Sequence, residues 1–254
     1  MKKVLSFDVD QTLNVAKTPI TDDIAHLLLE CLDHFEVCPI SGQKFDQFMI
    51  QIVDRLPNPT DKQLSHLHLF VAQGTQYYRY NTSSKEWEQV YNYPLTEEQV
   101  NKITETIEQA ARELNLWEED KLAPGDEIIE NRMSQVTFSA LGQKAGTEAK
   151  YAWDPDHQKR DKIAARCKEL APEFEYEVAG TTSINAVTPG MNKSFGMTHL
   201  LEELGVKKDD VLYFGDMTQP GGNDYPVVEM GIKTITVRNH EDTAFALRGI
   251  LGIL

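Results

Sequence analysis

Apolar residues near the start of the chain fall first at neighbouring or alternate positions and then at helical spacing. Val4, Leu5, Phe7 and Val9 form the short run expected of a buried parallel strand over 4–10. Behind Thr21, a suitable N-cap, Ile24, Leu27, Leu28, Cys31 and Leu32 recur every three or four residues and predict a helix. A second strand follows at 35–40, so the chain opens as a βαβ unit. Phe45, Phe48, Met49 and Val53 repeat the helical pattern across 45–56, and a further strand over 67–72 ends at Gly74.

The texture then changes. Residues 80–87 carry Asn, Thr, Ser, Ser and Lys, a polar stretch that suits a linker and a domain boundary. Thr96 and Gln99 form a capping box ahead of Val100, Ile103, Ile107, Ala110 and Leu114, an amphipathic helix with an acidic outer face. One or two strands are expected at 127–141 and extended structure at 174–187. Between them Asp154-Pro155 reads as the N-cap and first residue of another helix. Trp87, Trp117 and Trp153 all fall in this stretch, as a separate core would require. A capped helix at 193–204 before Gly205, a buried strand at 211–216 and another at 233–238 return to the opening pattern. The expected organisation is an α/β core of residues 1–83 and 189–254 interrupted by an α+β insert, 84–188.

Composition narrows the function classes. No apolar run approaches the eighteen residues of a membrane span, and Asp8 interrupts any secretory apolar segment, so a soluble, unprocessed protein is expected. Three scattered cysteines without a CxxC indicate neither a disulfide framework nor a zinc cluster, which fits a reducing cytoplasm. A net charge of −15 argues against a nucleic-acid backbone binder, which needs clustered Lys and Arg. A small phosphorylated substrate remains compatible, because a bound metal and a few local cations suffice for it.

Chemistry concentrates at two strand ends. Asp8 and Asp10 stand two residues apart where the first strand runs out, and ligands of open α/β sheets gather at the carboxyl ends of the strands. Two such acids can hold a divalent cation and divide nucleophilic attack from proton transfer. The same residues also read as a strand followed by an Asp-Gln-Thr turn. The second segment, 213–224, ends a strand on Asp216 and continues to Gly-Gly-Asn-Asp224, with glycines that would admit close approach of a ligand. Hard oxygens from Asp8, the Asp10 carbonyl and Asp216 would suit Mg2+.

In order along the chain, Asp8-Val9-Asp10-Gln11-Thr12, Ser41 with Gly42, Lys193, and Gly215-Asp216 with Asn223-Asp224 resemble the four motifs of the haloacid dehalogenase superfamily. The resemblance implies a Rossmann-like parallel-sheet core with an inserted C2B cap. It also implies Asp8 as the nucleophile that becomes an aspartyl-phosphate and Asp10 as general acid/base. Ser41, Gly42 and Lys193 would hold the phosphoryl group, and Asp8, Asp10, Asp216 and Asp224 the Mg2+ site. The spelling of the last motif, Gly-Asp-Met-Thr-Gln-Pro-Gly-Gly-Asn-Asp, and the later Glu241-Asp242-Thr243 resemble more narrowly the eukaryotic-type phosphomannomutases. On that register Lys17, Arg132, Lys150, Ser183 and Asn185 fall on substrate-binding positions. A phosphosugar substrate and a homodimer through the cap are implied as well.

This chain departs from the narrower pattern at several points. Gln11 stands where the family has Gly, Asn185 where it has Asp, Gln143 and Lys150 where it has Arg, and Lys17 where it has Arg. Lysine offers a point charge in place of a planar fork, so the identity of the sugar stays open. So does the acceptor: a sugar hydroxyl makes a mutase, and water makes a sugar-phosphate phosphatase. His66 and His68 share a strand face but lack a third metal ligand. Lys144, Lys159 and Arg160 read as surface of the insert, with Lys150 set apart from them by its aligned position.

Overall fold

The computed structural model describes residues 3–15 and 18–254. Along the chain run β1 (Val4–Phe7), α1 (Asp22–Cys31), β2 (Glu36–Pro39), α2 (Phe45–Gln51), α3 (Asp61–Ser65), β3 (His68–Val71), β4 (Gln76–Asn81) and β5 (Glu86–Asn92). There follow α4 (Glu97–Glu113), β6 (Ile129–Asn131), β7 (Val136–Ser139), α5 (Thr147–Trp153), α6 (Gln158–Leu170), β8 (Glu175–Ala179) and β9 (Ser183–Val187). The last elements are α7 (Lys193–Leu204), β10 (Val211–Gly215), α8 (Tyr225–Glu229), β11 (Lys233–Thr236) and α9 (His240–Leu251). The chain divides into two compact units, Met1–Asn92 with Met191–Leu254, and Tyr93–Gly190.

The first unit is built on a parallel sheet in the order β11-β10-β1-β2. Isolated parallel bridges from Val37 to Leu67 and from Ile40 to Phe70 set β3 beside β2, and β4 and β5 continue antiparallel from it. Alternation along the strands decides what each face meets. Leu5, Phe7, Leu212 and Phe214 pack with Ile24, Leu28, Ala244 and Leu247 of α1 and α9. Val4, Val211 and Tyr213 pack with Met197 and Leu200 of α7 and with Val227 of α8. Ser6 shares the second face, where its hydroxyl reaches the Cys38 carbonyl at 2.9 Å and Met197 Sδ at 3.5 Å. By the same alternation Asp8 faces α7.

The second unit carries the antiparallel sheet β6-β7-β9-β8. Val136, Phe138, Ile184 and Ala186 pack on Ile103, Ile107 and Ala110 of α4 and on Ile163 and Cys167 of α6. The alternate residues, Thr137, Ser139, Ser183 and Asn185, form a polar face that is nonetheless buried.

Several expectations are corrected. Residues 80–87 are the turn and flanks of the β4–β5 hairpin and belong to the first unit, so the second unit begins at Tyr93 and not at 84. Trp87 packs against the first unit's core, while Trp117 and Trp153 pack in the second. Asp154 does not start a helix: it closes α5, and α6 begins at Gln158 after His157. The Asp154 carboxylate accepts instead from Lys159 N at 2.9 Å, Arg160 N at 3.2 Å and Arg160 Nε at 2.7 Å. Arg160 is therefore one of the largest fully buried side chains, tied also to the Ala179 and Gly180 carbonyls, and is not surface. His68 is held between the Tyr77 hydroxyl at 2.7 Å and Glu36 Oε2 at 2.8 Å, a packed polar contact that accounts for its burial. Among the described residues no helix is long and apolar enough to cross a membrane.

Candidate active site

Register brings three strand ends together. Phe7 pairs with Phe214 on one side and Pro39 on the other, so the residues that follow lie side by side: Asp8 after β1, Ser41 after β2, Asp216 after β10. Asp8 N donates to the Phe214 carbonyl at 2.8 Å, and Ile40 N to that of Phe7 at 2.8 Å. β1 stands where the chain turns to build the sheet on both sides, the position at which such sheets bind ligands.

Lys193, the first residue of α7, has its ammonium fully buried between two acids. Its Nζ donates to Asp8 Oδ1 and, at 2.6 Å, to Asp224 Oδ1. Its position depends on the packing of α7, where a Cβ added to Gly196 would come within 2.8 Å of Gly74 Cα, so only glycine allows that approach. Asp224 is held on both oxygens: Oδ1 also accepts from the Tyr213 hydroxyl at 2.5 Å, and Oδ2 from Met217 N at 3.0 Å. Gly215 makes room for it, since a Cβ there would sit 2.5 Å from Asp224 Oδ2.

Burial dominates the electrostatics. It lifts the Asp8 carboxyl well above the usual range, the Asp224 and Asp216 charges push the same way, and Lys193 opposes them. Burial, followed by the Asp224 charge, raises Asp216 to about 6. Burial acts to lower Lys193, but Asp224 and Asp8 overcome it and hold the ammonium charged. Carboxylate oxygens of Asp8, Asp216 and Asp224 lie within 4.8 Å of one another. An all-oxygen, multiply acidic set fits a hard divalent cation such as Mg2+. Because its oxygens already accept from Lys193, Tyr213 and Met217, Asp224 suits bracing this set better than direct ligation.

The loop after Asp8 turns back on itself: Leu13 N donates to the Val9 carbonyl at 2.8 Å, and Gln11 adopts a left-handed φ of 64°. That backbone accounts for a glycine at this position in the resembling family and makes Gln11 a strained substitute. Contacts that sequence spacing did not reveal complete the site. Gln43 Nε2 donates to Asp10 Oδ1 at 3.0 Å, and the buried Thr243 hydroxyl donates to the Thr12 carbonyl at 2.7 Å, fixing α9 to the loop. The second contact gives the Glu241-Asp242-Thr243 spelling a physical reason. Lys17 lies outside the described residues.

In the second unit, two hydrogen-bond chains cross the polar sheet face. Gln135 Nε2 donates to Thr137 Oγ1 at 2.9 Å, and Thr137 donates to Asn185 Oδ1 at 3.0 Å. Gln143 Nε2 donates to Ser139 Oγ at 2.8 Å, and Ser139 and Ser183 share a hydrogen bond at 3.0 Å. Arg132 Nε is paired with Glu130 at 2.7 Å, while Lys150 Nζ donates to the Gln143 carbonyl at 2.7 Å. Burial pushes the Lys150 ammonium below its ordinary range.

A family model described as eukaryotic phosphomannomutase matches residues 33–253. The chain belongs to the eukaryotic phosphomannomutase family. It is 24% identical to a probable phosphomannomutase of Caenorhabditis elegans, over 98% of this chain and 96% of that one. To the Saccharomyces cerevisiae phosphomannomutase it is also 24% identical, covering 97% and 93%. Among solved structures, a truncated, IMP-bound IMP-nucleotidase of Plasmodium falciparum is similar with a TM-score of 0.71 at 15% identity, over 99% of this chain and 68% of that one. A haloacid dehalogenase-like hydrolase from Bacteroides thetaiotaomicron gives 0.62 at 15%, over 98% and 100%. The fold is thus of haloacid dehalogenase type, and the family makes the chain an enzyme of phosphotransferase kind.

Proposed function

We propose that the chain catalyses Mg2+-dependent phosphoryl transfer on hexose phosphates through Asp8, as a phosphomannomutase. The observation that carries the reading is the buried Asp8–Lys193–Asp224 contact beside Asp216 in a chain of this family. With Oδ1 held by Lys193, Asp8 Oδ2 attacks phosphorus. The new O–P bond makes an aspartyl-phosphate as the bond to the sugar oxygen breaks, and Asp10 gives that oxygen its proton. In the return step an acceptor hydroxyl gives its proton to Asp10, attacks the same phosphorus and releases Asp8. Ser41, the Gly42 backbone and Lys193 hold the phosphoryl oxygens, where fixed donors count most in a water-poor site. When bound, Mg2+ supplies positive charge against the same oxygens; Asp8, Asp216 and the Asp10 carbonyl would hold it. Arg132, Lys150, Ser183 and Asn185 of the second unit serve the rest of the substrate, and dimerisation through that unit belongs to the same reading.

One observation favours a second reading, hydrolysis. Lys150 offers a point charge that already donates to a backbone carbonyl, Gln143 is uncharged and donates to Ser139, and Arg132 is paired with Glu130, so grip on a second phosphate is weaker than three arginines would give. Incubation with mannose 1-phosphate, Mg2+ and a hexose bisphosphate activator separates the two. Mannose 6-phosphate is the expected main product; free phosphate as the main product transfers the assignment to a phosphatase.

Metal binding should follow pH through Asp216. A proton on Asp216 competes with the cation, so apparent Mg2+ affinity should rise as pH climbs toward about 6, where the Asp216 share of that competition ends. Below that point each pH unit weakens it by up to about tenfold per displaced proton. Without metal the sign reverses. A carboxyl raised in the folded state favours folding below its ordinary value near 4 and loses that contribution as pH climbs through about 6. Melting curves with and without Mg2+ between pH 5 and 8 give both slopes; a Mg2+ shift that is flat across the range contradicts the assignment.

A further inference from the structure

Gln43 lies two residues beyond Ser41 in the loop after β2 and is 3% exposed. Three of its four polar groups are engaged. Its N–H donates to Ser41 Oγ at 3.3 Å, its carbonyl accepts from Ala72 N at 3.0 Å, and Nε2 donates to Asp10 Oδ1 at 3.0 Å. The fourth, Oε1, is buried with no hydrogen-bond partner among the described residues.

A buried amide oxygen without a donor costs stability, and a methionine of equal length would fill the space without that cost. Packing therefore does not account for a glutamine here, whereas its donor does. Asp10 is only half-buried and needs a fixed neighbour if its carboxylate is to keep one orientation. The loop that carries Gln43 is itself braced. Gln73 N donates to the Ser41 carbonyl at 2.9 Å, and both Ala72 and Gln73 hold left-handed backbone, φ 49° and 62°. Such strain in residues other than glycine persists where surrounding structure over-determines it, as at functional sites. Because Ser41 Oγ accepts from Gln43 N, the hydroxyl hydrogen of Ser41 is left to donate to a phosphoryl oxygen.

We infer that Gln43 is a positioning residue for phosphoryl transfer: its side chain orients the Asp10 carboxylate toward the oxygen that enters or leaves phosphorus, and its backbone aims the Ser41 hydroxyl. The inference rests on the reading of Asp10 as acid/base. One glutamine would thereby couple the proton-transfer group to the phosphate grip, and its unsatisfied oxygen is stability given up for that function.

The test is a double-mutant cycle of Gln43→Met and Asp10→Asn, assayed with saturating mannose 1-phosphate, Mg2+ and the hexose bisphosphate activator. Gln43→Met should lower kcat by about 10–100-fold, the scale of a misplaced catalytic group, with KM within about threefold and a melting temperature equal to or above wild type. In the Asp10→Asn background the same change should alter kcat by less than about twofold, because a residue that acts through Asp10 has nothing left to position. Gln43→Leu, apolar and also without the donor, gives the same comparison if the methionine variant misfolds. A kcat within about twofold of wild type, or an equal loss in both backgrounds, overturns the role of Gln43 alone. A wild-type protein silent on a panel of phosphate esters overturns the acid/base reading, and this role with it.

Discussion

Asp8→Asn should abolish turnover of every phosphate ester while leaving the protein folded and at least as heat-stable as wild type. Asparagine has no oxygen basic enough to displace a leaving group from phosphorus, and losing a nucleophile costs on the order of 10⁴–10⁶ in kcat. The stability half follows from burial. Asp8 is 4% exposed, and its burial disfavours the carboxylate form that the proposed attack uses. An amide keeps the shape and an oxygen for Lys193, and Lys193 keeps its second partner in Asp224. Replacing one of two acids around a single cation therefore relieves like-charge repulsion and leaves no unpaired ion. Loss of activity together with an unchanged or higher melting temperature would separate a catalytic acid from a structural one. A residual rate within about tenfold of wild type would place the nucleophile elsewhere.

How much of this was legible in the sequence varies with the range of the interaction. Thr21 and Thr96 cap their helices as read, through contacts three residues away, and the apolar periods of β1 and β10 set Asp8 and Asp216 at strand ends. Local chemistry misled where partners just beyond the expected cap positions claimed the side chain. Asp154-Pro155 has the look of a helix start, but the Asp154 carboxylate is claimed by nitrogens of Lys159 and Arg160. The 80–87 stretch reads as a linker because the hairpin strands around it are largely exposed and need no apolar alternation. Gln43 and Tyr213 carried no motif signal of their own: one meets Asp10 across 33 positions, and the other looks like one more apolar residue in a buried strand. Thr243 reaches the loop after Asp8 across 231 positions, a contact that the three-residue resemblance marked without explaining.

Lys193→Met should be the most destabilising single change in the site and should also remove activity. Methionine matches the volume of the lysine stem, so packing survives and only the charge is lost. What remains is Asp8 and Asp224 facing each other without a cation, beside Asp216, in a fully buried pocket. Breaking a buried ion pair from one side costs about 3–5 kcal/mol. At about 2–4 °C per kcal/mol for a chain of this size, the melting temperature should fall by roughly 6–20 °C. The loss must depend on pH, and its sign is fixed. Lys193 is the main force holding the Asp8 carboxyl down against burial, so without it that carboxyl rises further. A group raised in the folded state adds stability below its unfolded value and loses it as pH climbs through the folded one. The gap between variant and wild type should therefore be widest near pH 8 and shrink toward pH 5.5. Adding Asp8→Asn to Lys193→Met should recover part of the melting temperature and none of the turnover, because it removes the stranded charge along with the proposed nucleophile. A gap that stays constant with pH, or a double variant no more stable than Lys193→Met alone, would mean that Lys193 acts by packing and not as the counter-ion of Asp8.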